Sequence, residues 1–241
     1  AHLTMPSLGA VSRDRAEALL AALQPLAGVV LSAEGAAPVL AGAPVLRHER
    51  HPGDPAAGLQ RSRPDVFQQA NRGANALLVE TALGLLRPDG EDVLELFCGA
   101  GNFTLPLAAR ARSVHAVEVQ GPSLELARKD AEEAAALRDR IRFFAGDALA
   151  LARAFARETG PQARRFGAAL LDPPREGARG IGPALRDLGV PRAVYVSCDP
   201  ATLARDLAAC VEAGFRVEAV QAVDMFPQTH HVEGVALLSR R

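Results

Sequence analysis

A few residues stand where their chemistry is usable. Cys198 closes the apolar run Ala193-Val194-Tyr195-Val196, and a helical pattern from Ala201 to Val211 follows the Asp199-Pro200 pair. This reads as a buried parallel strand opening into a helix. Ligands of open α/β sheets gather at carboxyl strand ends, and a helix N-terminus lowers the pKa of a nearby thiol. Cys198 is therefore a candidate nucleophile, although a lone Cys is also a common small buried hydrophobe. Asp172 ends another run, Gly167 to Leu171, and Pro173-Pro174 stiffens the turn after it. That rigid acid suits substrate binding, or simply starts a helix.

A third group surrounds Cys98-Gly99-Ala100-Gly101-Asn102-Phe103, which follows the strand pattern Asp92 to Phe97 and precedes a helix through Ala109. Strand, glycine turn and helix form the context of a nucleotide-binding loop. The third glycine of a dinucleotide fingerprint is replaced by Thr104. That weakens a pyrophosphate reading and leaves room for an uncharged or zwitterionic ligand. Glu118, 17 positions after Gly101, ends the next strand. An acid there suits ribose hydroxyls, the other reading being a carboxylate at a helix start. Asp147, after the strand Ile141 to Phe144, either accepts from an adenine amino group or caps the next helix. The amide-rich Phe67-Gln68-Gln69-Ala70-Asn71 offers recognition of a base or cofactor, or a solvated first turn.

The elements that must hold these residues alternate. Helical patterns cover Asp65 to Leu86, Ser123 to Leu137, Ala148 to Arg157, Ile181 to Leu188 and the stretch from Ala201 to Gly214. Strand patterns add Ser113 to Val119, Phe215 to Val223 and a closing strand from Val232 to Ser239. The expected fold is α/β, a doubly wound, mostly parallel seven-stranded sheet with an antiparallel last strand. Residues 1–63 are expected to be a small appendage and 64–241 the main domain. In the appendage, Asp14 to Leu23 reads as a helix capped by Ser12, Gly28 to Leu31 and Pro38 to Leu40 as short strands, and Arg47 to Arg63 as a loop.

Composition narrows the classes. The 241 residues are 49% hydrophobic and 23% charged, as in soluble globular chains. No apolar run approaches the ~18 residues of a membrane span, so no membrane partner is expected. Three cysteines, Cys98, Cys198 and Cys210, give neither a disulfide framework nor metal spacing. A reducing, cytoplasmic home is expected. The net charge of −1 does not announce nucleic-acid binding, but all the Lys and Arg except Lys129 is Arg, the better phosphate fork. The chain begins without Met and is expected to be processed or cut from a longer one.

Five motifs stand in order: Phe67 to Asn71, Glu95 to Phe103, Leu171 to Arg175, Ser197 to Asp206 and Asp224 to Glu233. Together they resemble the RNA uridine-5-methyltransferase family over residues 64–240. The resemblance implies a Rossmann-like class I methyltransferase that uses S-adenosylmethionine to make 5-methyluridine in tRNA or ribosomal RNA. It makes Cys198 the nucleophile at uracil C6, Glu233 the base for the C5 proton and Asp172 the acid that holds the uracil edge. Phe226 and His230 fall in the implied base pocket, with Phe67 a second candidate for stacking. The implied cofactor set is Gln69, Phe97, Gly99, Gly101, Asn102, Glu118, Asp147 and Asp172.

Three departures stand out. Asp199 replaces the family's usual Asn, and its charge is expected to raise the Cys198 pKa. Residues 1–63 lack the length of the N-terminal oligonucleotide-binding barrel that many members carry. The cysteines present cannot supply the four ligands of the iron–sulfur cluster found in some members, so neither cluster nor metal is expected. Competing readings are a methyltransferase of cytosine or of a small molecule, and a non-catalytic cofactor- or RNA-binding fragment. A dinucleotide oxidoreductase is the weakest reading.

Overall fold

Side chains alternating along each central strand sort the core into two layers. In a computed structural model, described over residues 2–5, 11–23, 25–33, 37–51, 54–229 and 231–240, one sheet carries seven strands. They are β6 (Asp92–Leu96), β7 (Ser113–Glu118), β8 (Ile141–Ala145), β9 (Ala168–Leu171), β10 (Arg192–Ser197), β11 (Arg216–Val223) and β12 (Glu233–Ser239). Along β10, Val194 and Val196 face one layer while Ala193 and Tyr195 face the other. Both faces are covered, which is why these strands read as continuous apolar runs. The first layer contains α2 (Arg72–Leu86), α3 (Thr104–Arg110) and α4 (Gly121–Glu133). The second contains α5 (Ala148–Ala156), α6 (Ile181–Asp187) and α7 (Pro200–Glu212).

The order across the sheet is β11-β12-β10-β9-β6-β7-β8, with β8, β7, β6, β9 and β10 parallel to their neighbours in that series. The chain moves outward from β6 to β7 and β8, then returns to β9 on the other side. That reversal opens a crevice at the carboxyl ends of β6 and β9. β11 and β12 are joined without a helix, so β12 runs back antiparallel between β10 and β11. Its register sets Gly234 opposite Ser197, which brings Glu233 beside the end of β10. The expected doubly wound sheet with one antiparallel strand is the sheet observed.

Two pieces precede it. β1 (His2–Thr4), α1 (Arg13–Ala22), β2 (Gly28–Ser32) and β3 (Val39–Gly42) form a three-stranded sheet with a helix, packed around Ala16, Val29, Leu31 and Ala41. Ser12 caps α1 by accepting from the Arg15 N–H at 3.3 Å. Next comes an antiparallel hairpin, β4 (Leu46–His51) and β5 (Asp54–Ser62). This corrects the loop expected over Arg47–Arg63. Among the described residues, the buried side chains of the hairpin are those of Arg50, Gln60 and Arg61. Their counter-charges lie on α4, where Asp130 accepts from the Arg61 guanidinium at 2.7 Å and from its backbone N–H at 3.1 Å. A strand buried by ion pairing carries no apolar alternation to read.

A second correction concerns α2, which begins at Arg72 and not at Asp65. Arg63 clamps the Asp65 carboxylate with two bonds of 2.6 and 2.9 Å, so that acid caps nothing. Asn71 is the N-cap, accepting from the Ala74 N–H at 3.1 Å. Phe67 and Leu77, within the expected helix span, are exposed.

Candidate active site

The turn between β6 and α3 is built from backbone that few residues tolerate. Phe97, Gly99 and Gly101 all have positive φ, at 63, 54 and 85°. For Phe97 that is an unusual conformation. A Cβ added at Gly101 would press on Ala127 of α4 at 3.3 Å, whereas one at Gly99 would meet nothing within 4 Å. The backbone at Gly99 thus faces open space, as a backbone that cradles a ligand must. The turn is fastened by Cys98 N–H to Val117 O and Gly101 N–H to Cys98 O, both 2.9 Å. Asn102 and Asn75 exchange two amide hydrogen bonds of 2.8 and 2.9 Å, fixing α3 to α2.

Glu118, buried at the end of β7, accepts from the Gly99 N–H at 2.9 Å and the Gln120 N–H at 2.6 Å. Asp147 is exposed and caps α5, its Oδ1 accepting from the Ala150 N–H at 2.8 Å. Gln69 Oε1 is buried, has no protein partner and stands just before α2. An orphaned amide oxygen, an open glycine and a ring of strand-end acids fit a polar, adenosine-sized cofactor.

The other side of the crevice is acidic. β9 delivers Asp172, β10 delivers Cys198, and β12 begins with Glu233. Leu171 is level with Tyr195 across β9 and β10, so the three side chains leave adjacent strands at one edge of the sheet. Crowding by protein, with the Glu233 charge second, pushes the Asp172 carboxyl up to about 8. Glu233 is buried and its carboxyl is raised by that burial, which Arg175 partly offsets. The Cys198 thiol is raised too, first by burial and then by Glu233, while a hydrogen bond and the charge of Arg175 act the other way. The thiol is thus raised, not lowered as a helix N-terminus alone would have it, because desolvation and the two acids disfavour the thiolate.

Asp199 does not act as expected either. It is the N-cap of α7, its carboxylate accepts from the Thr202 N–H at 2.8 Å, and that bond holds its own pKa low. The charges that raise Cys198 are those of Glu233 and Asp172.

Three residues to which the sequence assigned no role, Arg175, Glu95 and Arg50, belong to the neighbourhood, and Asn71 has a different part there from the one its amide-rich stretch offered. Arg175 follows Asp172-Pro173-Pro174 and supplies the cation facing Cys198 and Glu233. Its loop is anchored to α7, where the Ala178 N–H donates to Asp206 at 2.7 Å and Tyr195 Oη donates to the same oxygen at 2.6 Å. Glu95, inside the apolar run of β6, is buried and raised to about 8, chiefly by desolvation, with Thr104 the neighbour that draws it back most. A carboxylate within an apolar strand run was its available signal. Asn71 Nδ2 donates to Met225 O at 3.2 Å and so ties the start of α2 to the loop bearing Phe226. Arg50 lies on the hairpin. Phe226 is partly buried, its ring edge-on to His231 at 6.1 Å. Phe67 is 79% exposed, and His230 lies outside the described residues. Among the described residues no cluster of three His, Cys, Asp or Glu could hold a metal ion, and no helix is long and apolar enough to cross a membrane.

A sequence profile of the family described as tRNA (Uracil-5-)-methyltransferase matches residues 58–241. The chain belongs to this uracil-5-methyltransferase family. Among curated relatives, the 23S rRNA (uracil(1939)-C(5))-methyltransferase RlmD of Pseudomonas fluorescens is 45% identical over 177 residues, covering 73% of this chain and 38% of the relative. The RlmD of Acidithiobacillus ferrooxidans is 46% identical over 186 residues, 75% of this chain and 40% of its own. The chain thus spans about two fifths of the length of these relatives. Among solved structures, Pyrococcus abyssi tRNA (uracil-54, C5)-methyltransferase in complex with S-adenosyl-L-homocysteine aligns with TM-score 0.66 and 26% identity, covering 88% of this chain and 51% of that one. Magnesium protoporphyrin IX methyltransferase from Synechocystis with bound SAM aligns with TM-score 0.51 and 16% identity, over 70% of this chain and 81% of its own, and shares the fold. The family's motifs therefore sit on a methyltransferase sheet, with the turn after β6 and the three strand-end residues on either side of one crevice.

Proposed function

We propose that this chain is the catalytic part of an RNA methyltransferase acting at C5 of uridine in ribosomal or transfer RNA, with S-adenosylmethionine as methyl donor. The main support is the placement of Cys198, Asp172 and Glu233 at the ends of three adjacent strands, across the crevice from the Gly99–Glu118 turn. The boundary between appendage and catalytic domain is proposed at 63/64. Gln69, Phe97, Gly99, Gly101, Asn102, Glu118, Asp147 and Asp172 would hold the cofactor, which when bound supplies an electrophilic methyl group.

A uracil C5 is a weak nucleophile until C6 is attacked. The Cys198 thiolate adds to C6, and the C5–C6 π electrons move towards O4 as an enolate, which makes C5 nucleophilic. Once C5 is methylated, the Glu233 carboxylate takes the C5 proton. The released pair re-forms C5=C6 as the C6–S bond breaks, returning Cys198 as thiolate. Asp172 holds the edge of the base. Its carboxyl is protonated at neutral pH in the free chain, since its pKa is about 8. In that form it accepts from N3–H and donates towards O4, where charge accumulates. Only the ionised form favours uracil, because a neutral carboxyl can also pair with cytosine. The target base must leave its stack, costing a few kcal/mol, and Phe226 and Phe67 are the rings available to receive it.

The test is methyl transfer to unmodified ribosomal and transfer RNA transcripts, with nucleosides resolved by mass spectrometry. New 5-methyluridine is the expected product, and Glu233→Gln should slow its release and accumulate protein–RNA adduct. 5-Methylcytosine as the sole product would overturn the substrate assignment. Binding of S-adenosylhomocysteine with no transfer to any transcript would reduce the chain to a cofactor domain lacking its RNA-recruiting part.

A further inference from the structure

Outside the crevice, the most heavily buried cation among the described residues is Arg50, on the first strand of the hairpin. Its side chain is 2% exposed, and its partners lie on two other elements. Nη1 donates to the carbonyl of Gly101 at 2.9 Å, and Nη2 reaches Asp130 of α4 at 3.4 Å. Asp130 is itself fixed by Arg61, and Arg61 also pairs with Glu133. The guanidinium therefore joins the β6–α3 turn to a helix that is already clamped to the hairpin. The acceptor is telling, since Gly101 is one of the three positive-φ residues of that turn. Beneath the turn lies Glu95, whose negative charge acts on Arg50, and Arg50 in turn draws the Glu95 carboxyl down.

We propose that Arg50 is a positioning residue for cofactor binding: it holds the Gly101 carbonyl inward, so that the Gly99 backbone stays open to the ligand. The inference rests on the cofactor reading above, and it makes the hairpin part of the site although Arg50 lies upstream of the matched residues 58–241. A charged donor is suited to the task because a buried carbonyl bonded to a guanidinium is held more strongly than one bonded to a neutral group. Lys carries its three donors on one nitrogen and lacks the planar fork whose two nitrogens here reach different elements.

Two measurements on the full chain test this. Titration calorimetry with S-adenosylhomocysteine should show R50M weakened by about tenfold or more and R50K between R50M and wild type. The methyl-transfer rate at saturating cofactor should stay within about twofold. R47A, which removes an exposed pairing to Glu133 on the same surface, should bind as wild type. If R50M does not fold, R50K carries the test, and wild-type affinity in folded R50K would overturn the proposal. So would a loss confined to the rate at saturating cofactor. Hydrogen exchange of the Gly99–Asn102 amides in the ligand-free protein is the second readout. Faster exchange there in R50K supports the clasp, and unchanged exchange overturns it. Because that readout needs no ligand, it stands even if the wild type fails to bind the cofactor product, a result that would remove the cofactor reading instead.

Discussion

The two sides of the crevice treat their carboxylates in opposite ways. On the β6–β7 side, Glu118 is buried but satisfied, with a backbone N–H on each oxygen. On the β9–β10–β12 side, Asp172 and Glu233 are crowded together and raised by burial, and the Cys198 thiol beside them is raised as well. On the first side the strand-end acid is satisfied before any ligand arrives, while Gln69 Oε1 keeps no protein partner. On the second, burial pushes the Asp172 and Glu233 carboxyls and the Cys198 thiol towards their protonated forms, with Arg175 as the cation that opposes this at Cys198 and Glu233. Groups on the first side only have to bind, whereas those on the second must change charge during a reaction. A resting site that keeps its thiol protonated is also guarded against adventitious alkylation and oxidation.

The largest test of this division is Cys198→Ala. Transfer should fall by more than about 10³-fold while S-adenosylhomocysteine binding changes less than about twofold, because the substitution touches only the reactive side. Equal losses in both would erase the distinction. The converse is Glu118→Ala. It leaves the Gly99 and Gln120 N–H groups without their acceptor, a cost of about 1–3 kcal/mol, and should weaken the cofactor product by about 10- to 100-fold. Iodoacetamide labelling of Cys198 in that variant should match wild type.

The division between the two sides also marks what the sequence could show. The central strands of the main sheet were legible because burial on both faces leaves an apolar run of the right length, as in Val194 to Val196, whereas the edge strand β11 is mostly exposed and owes its legibility to its valines. Cys198, Asp172 and Glu118 stood out because each lies at the end of such a run, whereas Glu233, at the start of β12, stood out only through the family resemblance. Electrostatics was not legible. The Cys198 shift is set first by burial and then by the charge of Glu233, 35 positions away in the chain and brought alongside by the antiparallel return of β12. Asp199, next in sequence, instead spends its carboxylate on a helix cap. The hairpin was missed for a related reason. Arg50 and Arg61 read as solvated until Asp130 and Glu133 of α4 are placed against them.

A smaller effect separates the two sides by pH. On the cofactor side, His115 of β7 is buried among Phe144 and Phe166 with both nitrogens unbonded, and desolvation lowers its pKa to about 4. The folded protein keeps it neutral, while the unfolded chain protonates near pH 6.5. Its contribution is therefore complete above 6.5 and is lost as pH falls towards 4, about 2 kcal/mol by pH 5. Asp172 has the reverse sign: raised to about 8, it costs stability as pH climbs from the ordinary carboxylate range towards that value. His115→Phe should show a smaller drop in urea midpoint between pH 7 and pH 5 than wild type, and an equal drop would remove His115 as a source of acid sensitivity. Asp172→Asn should raise the midpoint at pH 8, by about 0.5–2 kcal/mol.

The smallest effect bears most directly on how the reactive side is tuned. The rate of Cys198 alkylation against pH reports its thiolate fraction. The midpoint should lie above the ~8.5 of a free thiol, because burial and the neighbouring acids disfavour the charged form. Glu233→Gln removes the largest opposing charge and should move the midpoint down, while Arg175→Met removes the assisting cation and should move it up. Each shift should be a few-fold in rate at a fixed pH below the midpoint. Asp199→Asn should leave it in place, since that carboxylate faces the Thr202 N–H and not the thiol. A downward shift in Asp199→Asn equal to that in Glu233→Gln would return control of the nucleophile to its sequence neighbour, and the acid pair across β10 and β12 would lose its part in setting the thiol.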